Sequence, residues 1–157
     1  MKVCTTNLAN ILSPEFEILS TEALSALEIP LFSTCISAGF PSPAEGYLDD
    51  KINLQQLLIK NPAATYMLRV RGDSMRDANI SEGDILIVDR SLTPSDNQVI
   101  IGILNNEFTV KRLVKKQKRY YLQPENPAYP AILLSDEIEF KIWGVVIWCI
   151  HKIKATV

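Results

Sequence analysis

Cysteine is scarce in this chain and histidine scarcer still, with three and one among 157 residues. Cys4, Cys35 and Cys149 are odd in number and far apart, so no disulfide framework is expected. None has the Cys or His neighbours that zinc spacing requires, so neither a metal nor any other cofactor is expected. The thiols read as reduced, as in a cytoplasm. His151 follows an apolar run at the chain end and has no acidic partner at useful spacing, which argues against a Ser-His-Asp triad. Long hydrophobic runs are absent too. Val99 to Leu104 and Val145 to Ile150 are about a third of the roughly 18 residues that cross a bilayer, so no membrane span is expected. Asn7, Asn10, Glu15 and Glu17 interrupt the region after Lys2, so no secretory leader is expected and the reading is cytoplasmic. Positive charge is not in excess. Sixteen Lys and Arg against 18 Asp and Glu give a net charge of -2, which argues against a general binder of nucleic acid or membrane surfaces and against direct sequence-specific DNA binding. Proteins are the expected partners.

A hydrophobic content of 47% over this length supports one domain with a real core. Residues 1–40 read as an arm, because Pro14 and Pro30 interrupt it, Pro41 and Pro43 follow, and only Glu15 to Leu27 has helical character. Pro30 and Pro41 should stop regular structure and leave Leu31 to Phe40 extended. Residues 41–157 read as the domain. Asn53 is a candidate N-cap for a short helix with Leu54, Leu57 and Leu58 on one face, ended by Asn61-Pro62. Strands then dominate: Thr65 to Val70, Asp84 to Asp89, Val99 to Leu104, Glu107 to Leu113, Arg119 to Gln123 and Lys141 to Ile150 are rich in β-branched and aromatic residues between turn formers. Asn105-Asn106 suits a two-residue hairpin turn of positive φ. A mainly β fold of twisted antiparallel sheets with one or two short helices follows. No internal repeat or low-complexity segment is visible.

Two residues in this frame can carry chemistry. The Gly72-Asp73-Ser74-Met75 turn lifts a hydroxyl out of the backbone, and Lys111 emerges from an otherwise apolar strand. The period of two sets Phe108 and Val110 on one face of that strand and Thr109, Lys111 and Leu113 on the other, so Lys111 need not face water. A free lysine of pKa near 10.4 is unprotonated about once in 2,500 molecules at pH 7, a penalty of roughly 4.6 kcal/mol for its basic form. Desolvation disfavours the ammonium and can lower that pKa by about 3 to 5 units, so burial is part of any such mechanism. Ser74 would then attack a carbonyl after giving its proton to Lys111. The backbone amides of Asp73 and Ser74 are candidate oxyanion donors, because a tight turn can aim successive amides at one point. Taken alone, neither motif is specific: Gly-x-Ser turns are common, and most strand lysines reach solvent.

Their setting is specific. In order along the chain, Gly72-Asp73-Ser74-Met75, Glu82-Gly83-Asp84-Ile85-Leu86-Ile87-Val88-Asp89, Glu107-Phe108-Thr109-Val110-Lys111-Arg112-Leu113 and Trp143-Gly144-Val145-Val146 resemble the LexA/UmuD family of self-cleaving Ser-Lys peptidases, and within it the UmuD branch. Pro30-Leu31-Phe32-Ser33, Gly39-Phe40-Pro41-Ser42-Pro43 and Asn53 to Ile59 extend the resemblance upstream, to about residues 30–150. It departs at Asn97-Gln98 and Asn105-Asn106, where the family usually has Gly-Asp and Asp-Gly, and over residues 1–29. The resemblance implies Ser74 as nucleophile, Lys111 as general base and Ala38-Gly39 as the bond that the protein cuts in itself, giving fragments of 38 and 119 residues. Ala38 suits a shallow pocket, and Gly39 has no Cβ to resist a kinked approach. About 115 Å of extended chain separates Gly39 from Ser74 at most, so cutting within one chain or between dimer partners both stay open. The resemblance also implies a homodimer, stimulation by RecA filaments on single-stranded DNA, and service of the shortened product to a Y-family DNA polymerase catalytic subunit in copying across lesions, with the sliding clamp as a further partner.

Three other readings share parts of the pattern. A LexA-type repressor needs a helix-turn-helix of about 60 residues ahead of the peptidase half, and only 38 precede the proposed cut. A signal peptidase needs a membrane anchor. A non-proteolytic polymerase- or clamp-binding subunit would carry a vestigial dyad, against which the intact Ser74 and Lys111 argue. The basic run Lys111, Arg112, Lys115, Lys116, Lys118 and Arg119 reads as a solvated hairpin tip. Trp143 and Trp148 fit core packing or a dimer interface equally well.

Overall fold

The computed structural model describes residues 18–19, 28–32 and 48–153. Strands dominate them, joined by one short α-helix and two single 3-10 turns, Pro62–Ala64 and Arg76–Ala78. They fall into two units, 28–32 with 48–60 in one and 18–19 with 61–153 in the other. Ala38-Gly39, Cys4, Cys35 and most of the arm lie outside the described residues.

In the smaller unit, β2 (Glu28–Phe32) pairs antiparallel with β3 (Leu48–Asn53). Pro30 lies inside β2 opposite Lys51 instead of ending regular structure, and the register shifts before Phe32. In a two-stranded ribbon each strand keeps an unpaired edge, where a residue without an N–H is tolerated. Helix α1 (Leu54–Leu58) starts where expected, with Asn53 Oδ1 accepting from the Gln56 amide at 3.1 Å. Its leucines form no buried stripe: none of its residues is buried, and Leu57 is 47% exposed.

The larger unit is an eight-stranded antiparallel sheet. Its strands are β1 (Ile18–Leu19), β4 (Thr65–Arg69), β5 (Ile85–Asp89), β6 (Val99–Leu104), β7 (Glu107–Lys116), β8 (Arg119–Gln123), β9 (Ile132–Leu133) and β10 (Phe140–Ile150), in the order β1-β4-β5-β10-β6-β7-β8-β9. Ile18 and Leu19, inside the stretch expected to be helical, instead extend along β4 opposite Leu68 and Met67. Pairing with an open strand edge outweighs weak local helix preference there. The long β10 lies between β5 and β6 and carries a register shift against each of them. Bulges of this kind bend and twist the strand.

Both faces of the sheet are covered. Ile101, Phe108 and Val110 join Leu68, Val70, Met75, Leu86, Val88 and Trp143 in one core, while Ile100, Leu113, Leu122 and Val145 form a second. Adjacent side chains of a strand point to opposite faces, so Ile100 and Ile101, both fully buried, require cover on both sides. That explains why β6 reads as a continuous apolar run rather than an alternation. The two tryptophans part company. Trp143 packs in the core against Tyr66 and edge-on against Phe108, with centroids 5.3 and 5.5 Å away, whereas Trp148 is 44% exposed. Asn105 and Asn106 adopt φ of 48° and 70°, the left-handed pair that a type I′ turn needs, and Asn97 adopts 68°. Asparagine at these points keeps the turn geometry with little strain.

Candidate active site

The β4–β5 connection presents Ser74. It is pinched at its base, where the Val70 amide donates to Asp84 O at 2.8 Å and the Gly83 amide to Val70 O at 2.9 Å. Gly72 at φ 85° makes the turn a non-glycine residue would strain. Met75, 1% exposed, plugs the next position into the core, and its carbonyl accepts from the Ala78 and Ile80 amides. Ser74 therefore sits half-buried between a permissive glycine and an anchored methionine.

Lys111 stands in the middle of β7, in register with Ile100. Its Nζ lies 2.8 Å from Ser74 Oγ, 3.2 Å from Thr109 Oγ1 and 2.9 Å from Val110 O. Thr109 shares the strand face with Lys111, as the period of two requires. As an ammonium, Nζ donates to all three oxygens. As a neutral amine it keeps two N–H bonds for Thr109 and Val110 and turns its lone pair to the Ser74 hydroxyl, which then donates. The arrangement thus accommodates both protonation states of a general base in contact with a hydroxyl nucleophile. The Asp73 and Ser74 amides, the candidate oxyanion donors, make no backbone–backbone hydrogen bond among the described residues.

A segment that no local sequence pattern ties to this turn grips it from outside. The Glu125 amide donates to Ser74 O at 2.9 Å, and the Asp77 amide returns to Glu125 O at 2.8 Å. Asn126, 3% exposed, donates through Nδ2 to Asp73 O at 3.0 Å and Asp73 Oδ2 at 3.1 Å, and the Tyr129 hydroxyl donates to Asp73 Oδ1 at 2.7 Å. That bond and the negative charge of Asp73 raise the Tyr129 pKa. Arg112 bonds Glu125 and, through Nη1, Asn97 O at 2.8 Å, so it belongs to this support and not to the basic tip. The tip itself is Lys115, Lys116, Lys118 and Arg119, all exposed. The available signal was a polar loop between two prolines, Pro124-Glu125-Asn126-Pro127, which nothing in one sequence ties to Ser74.

His151 has an acidic partner after all: its Nδ1 lies 2.7 Å from Asp84 Oδ1, across 67 residues of sequence. Near-neighbour spacing could not reveal a pair made by β10 running beside β5. The pair does not involve Ser74, so no Ser-His-Asp triad results. Cys149 shares this corner. It is exposed as a residue, but its sulphur turns inward and donates to Asp84 Oδ2 at 3.5 Å. Burial first, then the charge and hydrogen bonding of Asp84, push the thiol up to about 11. Only the thiolate is nucleophilic, so at pH 8 iodoacetamide should modify Cys149 tens of times more slowly than a short cysteine peptide, with the rate climbing until about pH 11. Asp84→Asn should speed it. Peptide mapping by mass spectrometry reads both, and labelling at the peptide's rate would show that the sulphur is not held there.

A family model described as Peptidase S24-like matches residues 30–147. Protein MucA of Salmonella typhimurium is 45% identical over 128 residues, spanning 81% of this chain and 87% of its own. Protein SamA of Salmonella typhimurium strain LT2 is 39% identical over 146 residues, 93% of this chain and 97% of its own. A LexA repressor of Bordetella avium is 38% identical over 129 residues, 82% of this chain and 60% of its own.

Proposed function

The chain belongs to the Peptidase S24-like family, and on that premise we propose that it is a UmuD-like protein of SOS mutagenesis that severs its own Ala38-Gly39 bond with Ser74 as nucleophile and Lys111 as general base. The observation that carries this reading is the 2.8 Å approach of Lys111 Nζ to Ser74 Oγ.

In the first half-reaction the Ser74 hydroxyl gives its proton to neutral Lys111 as Oγ attacks the Ala38 carbonyl carbon. The negative charge that develops on the carbonyl oxygen is met by the Asp73 and Ser74 amides. The intermediate collapses when the Lys111 ammonium returns a proton to the Gly39 nitrogen, releasing the fragment that begins at Gly39 and leaving Ala38 esterified to Ser74. Water then attacks the ester, again with Lys111 as base, and frees the Ala38 carboxylate and the serine. The relaxed constraint on Gly39 and the small Ala38 side chain suit a bond bent into a half-buried site.

Removal of the arm changes the surface that a homodimer offers, converting one set of partners into another. In this reading a RecA filament on single-stranded DNA stimulates the cut in the cytoplasm. The processed dimer then serves a Y-family polymerase catalytic subunit, with the sliding clamp as a further partner.

The purified chain incubated over rising pH should yield fragments of 38 and 119 residues, at a rate that grows as Lys111 loses its proton. Below the titration of the amine, each pH unit should raise the rate about tenfold, because the basic form grows in that proportion. Mass spectrometry identifies the severed bond, and masses that do not correspond to scission after Ala38 would refute the assignment.

A further inference from the structure

Asn126 has nothing to do with the reacting atoms by contact, yet every polar atom of its buried side chain is engaged at the Ser74 turn or in its own loop. Nδ2 donates to Asp73 O and Asp73 Oδ2, while Oδ1 accepts from the Ala128 amide at 3.0 Å and from Arg76 Nη2 at 3.3 Å. A buried amide so fully satisfied is costly to replace and holds its neighbours in one arrangement.

What it holds is the peptide joining Asp73 to Ser74. A trans peptide is planar, so the carbonyl of residue 73 and the N–H of residue 74 point in opposite directions. The Asp73 carbonyl is fixed by Asn126 Nδ2 at 3.0 Å and by the Arg76 amide at 3.1 Å. The Ser74 N–H is thereby turned to the side away from Asn126. One residue on, the Glu125 amide fixes the Ser74 carbonyl in the same way at 2.9 Å. Gly72, at φ 85°, gives the turn no stiffness of its own on the other flank. Outside restraint is needed, and segment 125–129 supplies it.

We propose that Asn126, with Tyr129 clamping the Asp73 carboxylate, is a positioning residue that sets the Ser74 N–H as oxyanion donor; this rests on the Ser74 and Lys111 reading above. Neither side chain takes part in proton transfer. Tyr129 keeps its hydroxyl proton further into alkali than an ordinary tyrosine, because Asp73 accepts from it, so the clamp persists where the lysine is most basic.

The test follows self-cleavage of the full chain against pH, which separates a plateau rate, set by transition-state stabilisation, from a midpoint, set by the base. Asn126→Asp preserves shape and both accepting contacts but removes both donors. It should lower the plateau roughly ten- to hundredfold, up to the low end of the ~10²–10³ lost when an oxyanion donor is deleted. Asn126→Ala should lower it as far and, adding no charge, leave the midpoint unmoved. Both are assayed below their thermal melting transitions, read by circular dichroism, so that loss of fold does not count as loss of rate. An unchanged plateau, or a midpoint moved in Asn126→Ala, overturns the proposal. Should both variants prove unfolded, Tyr129→Phe decides: an exposed side chain loses one hydroxyl, and a plateau lowered a few-fold supports positioning while wild-type cleavage overturns it. Fragmentation that persists in Ser74→Ala would instead fault the nucleophile assignment.

Discussion

Lys111→Arg should remain whole at every pH at which the wild-type chain cuts itself, and Ser74→Ala likewise. The arginine variant is the sharper of the two, since it keeps positive charge and length at the position. A guanidinium stays protonated throughout the usable range, so it can donate to Ser74 Oγ but never accept its proton. Loss of a general base typically costs ~10²–10⁴ in rate, and loss of the attacking oxygen removes the covalent route altogether. Neither substitution touches the apolar cores, so both variants should fold. Gel separation of the fragments over hours to days, with the fragment masses determined, provides the measurement. Cleavage by Ser74→Ala would assign the reaction to another residue or to a contaminating protease, and cleavage by Lys111→Arg would leave Ser74 with a different base. Thr109, whose Oγ1 is 3.2 Å from Nζ, steadies the amine without replacing it.

Much of this arrangement was legible from local pattern. β6 and β8 run over the expected residues because their bounds are set by turn formers, Asn105-Asn106 among them, and helix α1 begins at the expected cap. β7 runs on to Lys116, three residues beyond its expected end, because Val114, Lys115 and Lys116 continue the ladder opposite Tyr121, Tyr120 and Arg119. Charge alone does not end a strand whose partner continues. The alternation around Lys111 correctly set Phe108 and Val110 apart from Leu113, which occupy opposite cores. Sequence distance hid the remainder. Asn126 meets Asp73 across 53 residues and His151 meets Asp84 across 67, and neither pairing leaves a periodic trace. The extended Ile18–Leu19 was likewise hidden, because its partner β4 lies far along the chain.

Met75→Ala should lower both stability and cleavage, by a route that bypasses the chemistry. Met75 follows the nucleophile directly, is 1% exposed, and packs in the same core as Val110, the residue before Lys111. That core ties the Ser74 turn to β7, so the 2.8 Å contact depends on two backbones held from one side by shared apolar packing. Truncating a buried methionine to alanine typically costs about 2–5 kcal/mol, through lost apolar transfer and the cavity left behind. Urea titration followed by tryptophan fluorescence should show the unfolding free energy fall by an amount in that range, as a lower midpoint with the slope unchanged. Cleavage measured well below the transition should fall as well, because the turn loses its plug beside a glycine that offers no restraint. Met75→Leu, similar in volume and apolar throughout, should cost less than about 1.5 kcal/mol and restore most of the cleavage rate. An alanine variant that unfolds at the wild-type midpoint would mean that the turn is held from outside the core alone, by Glu125 and Asn126. Lost stability with undiminished cleavage would separate the fold from the site.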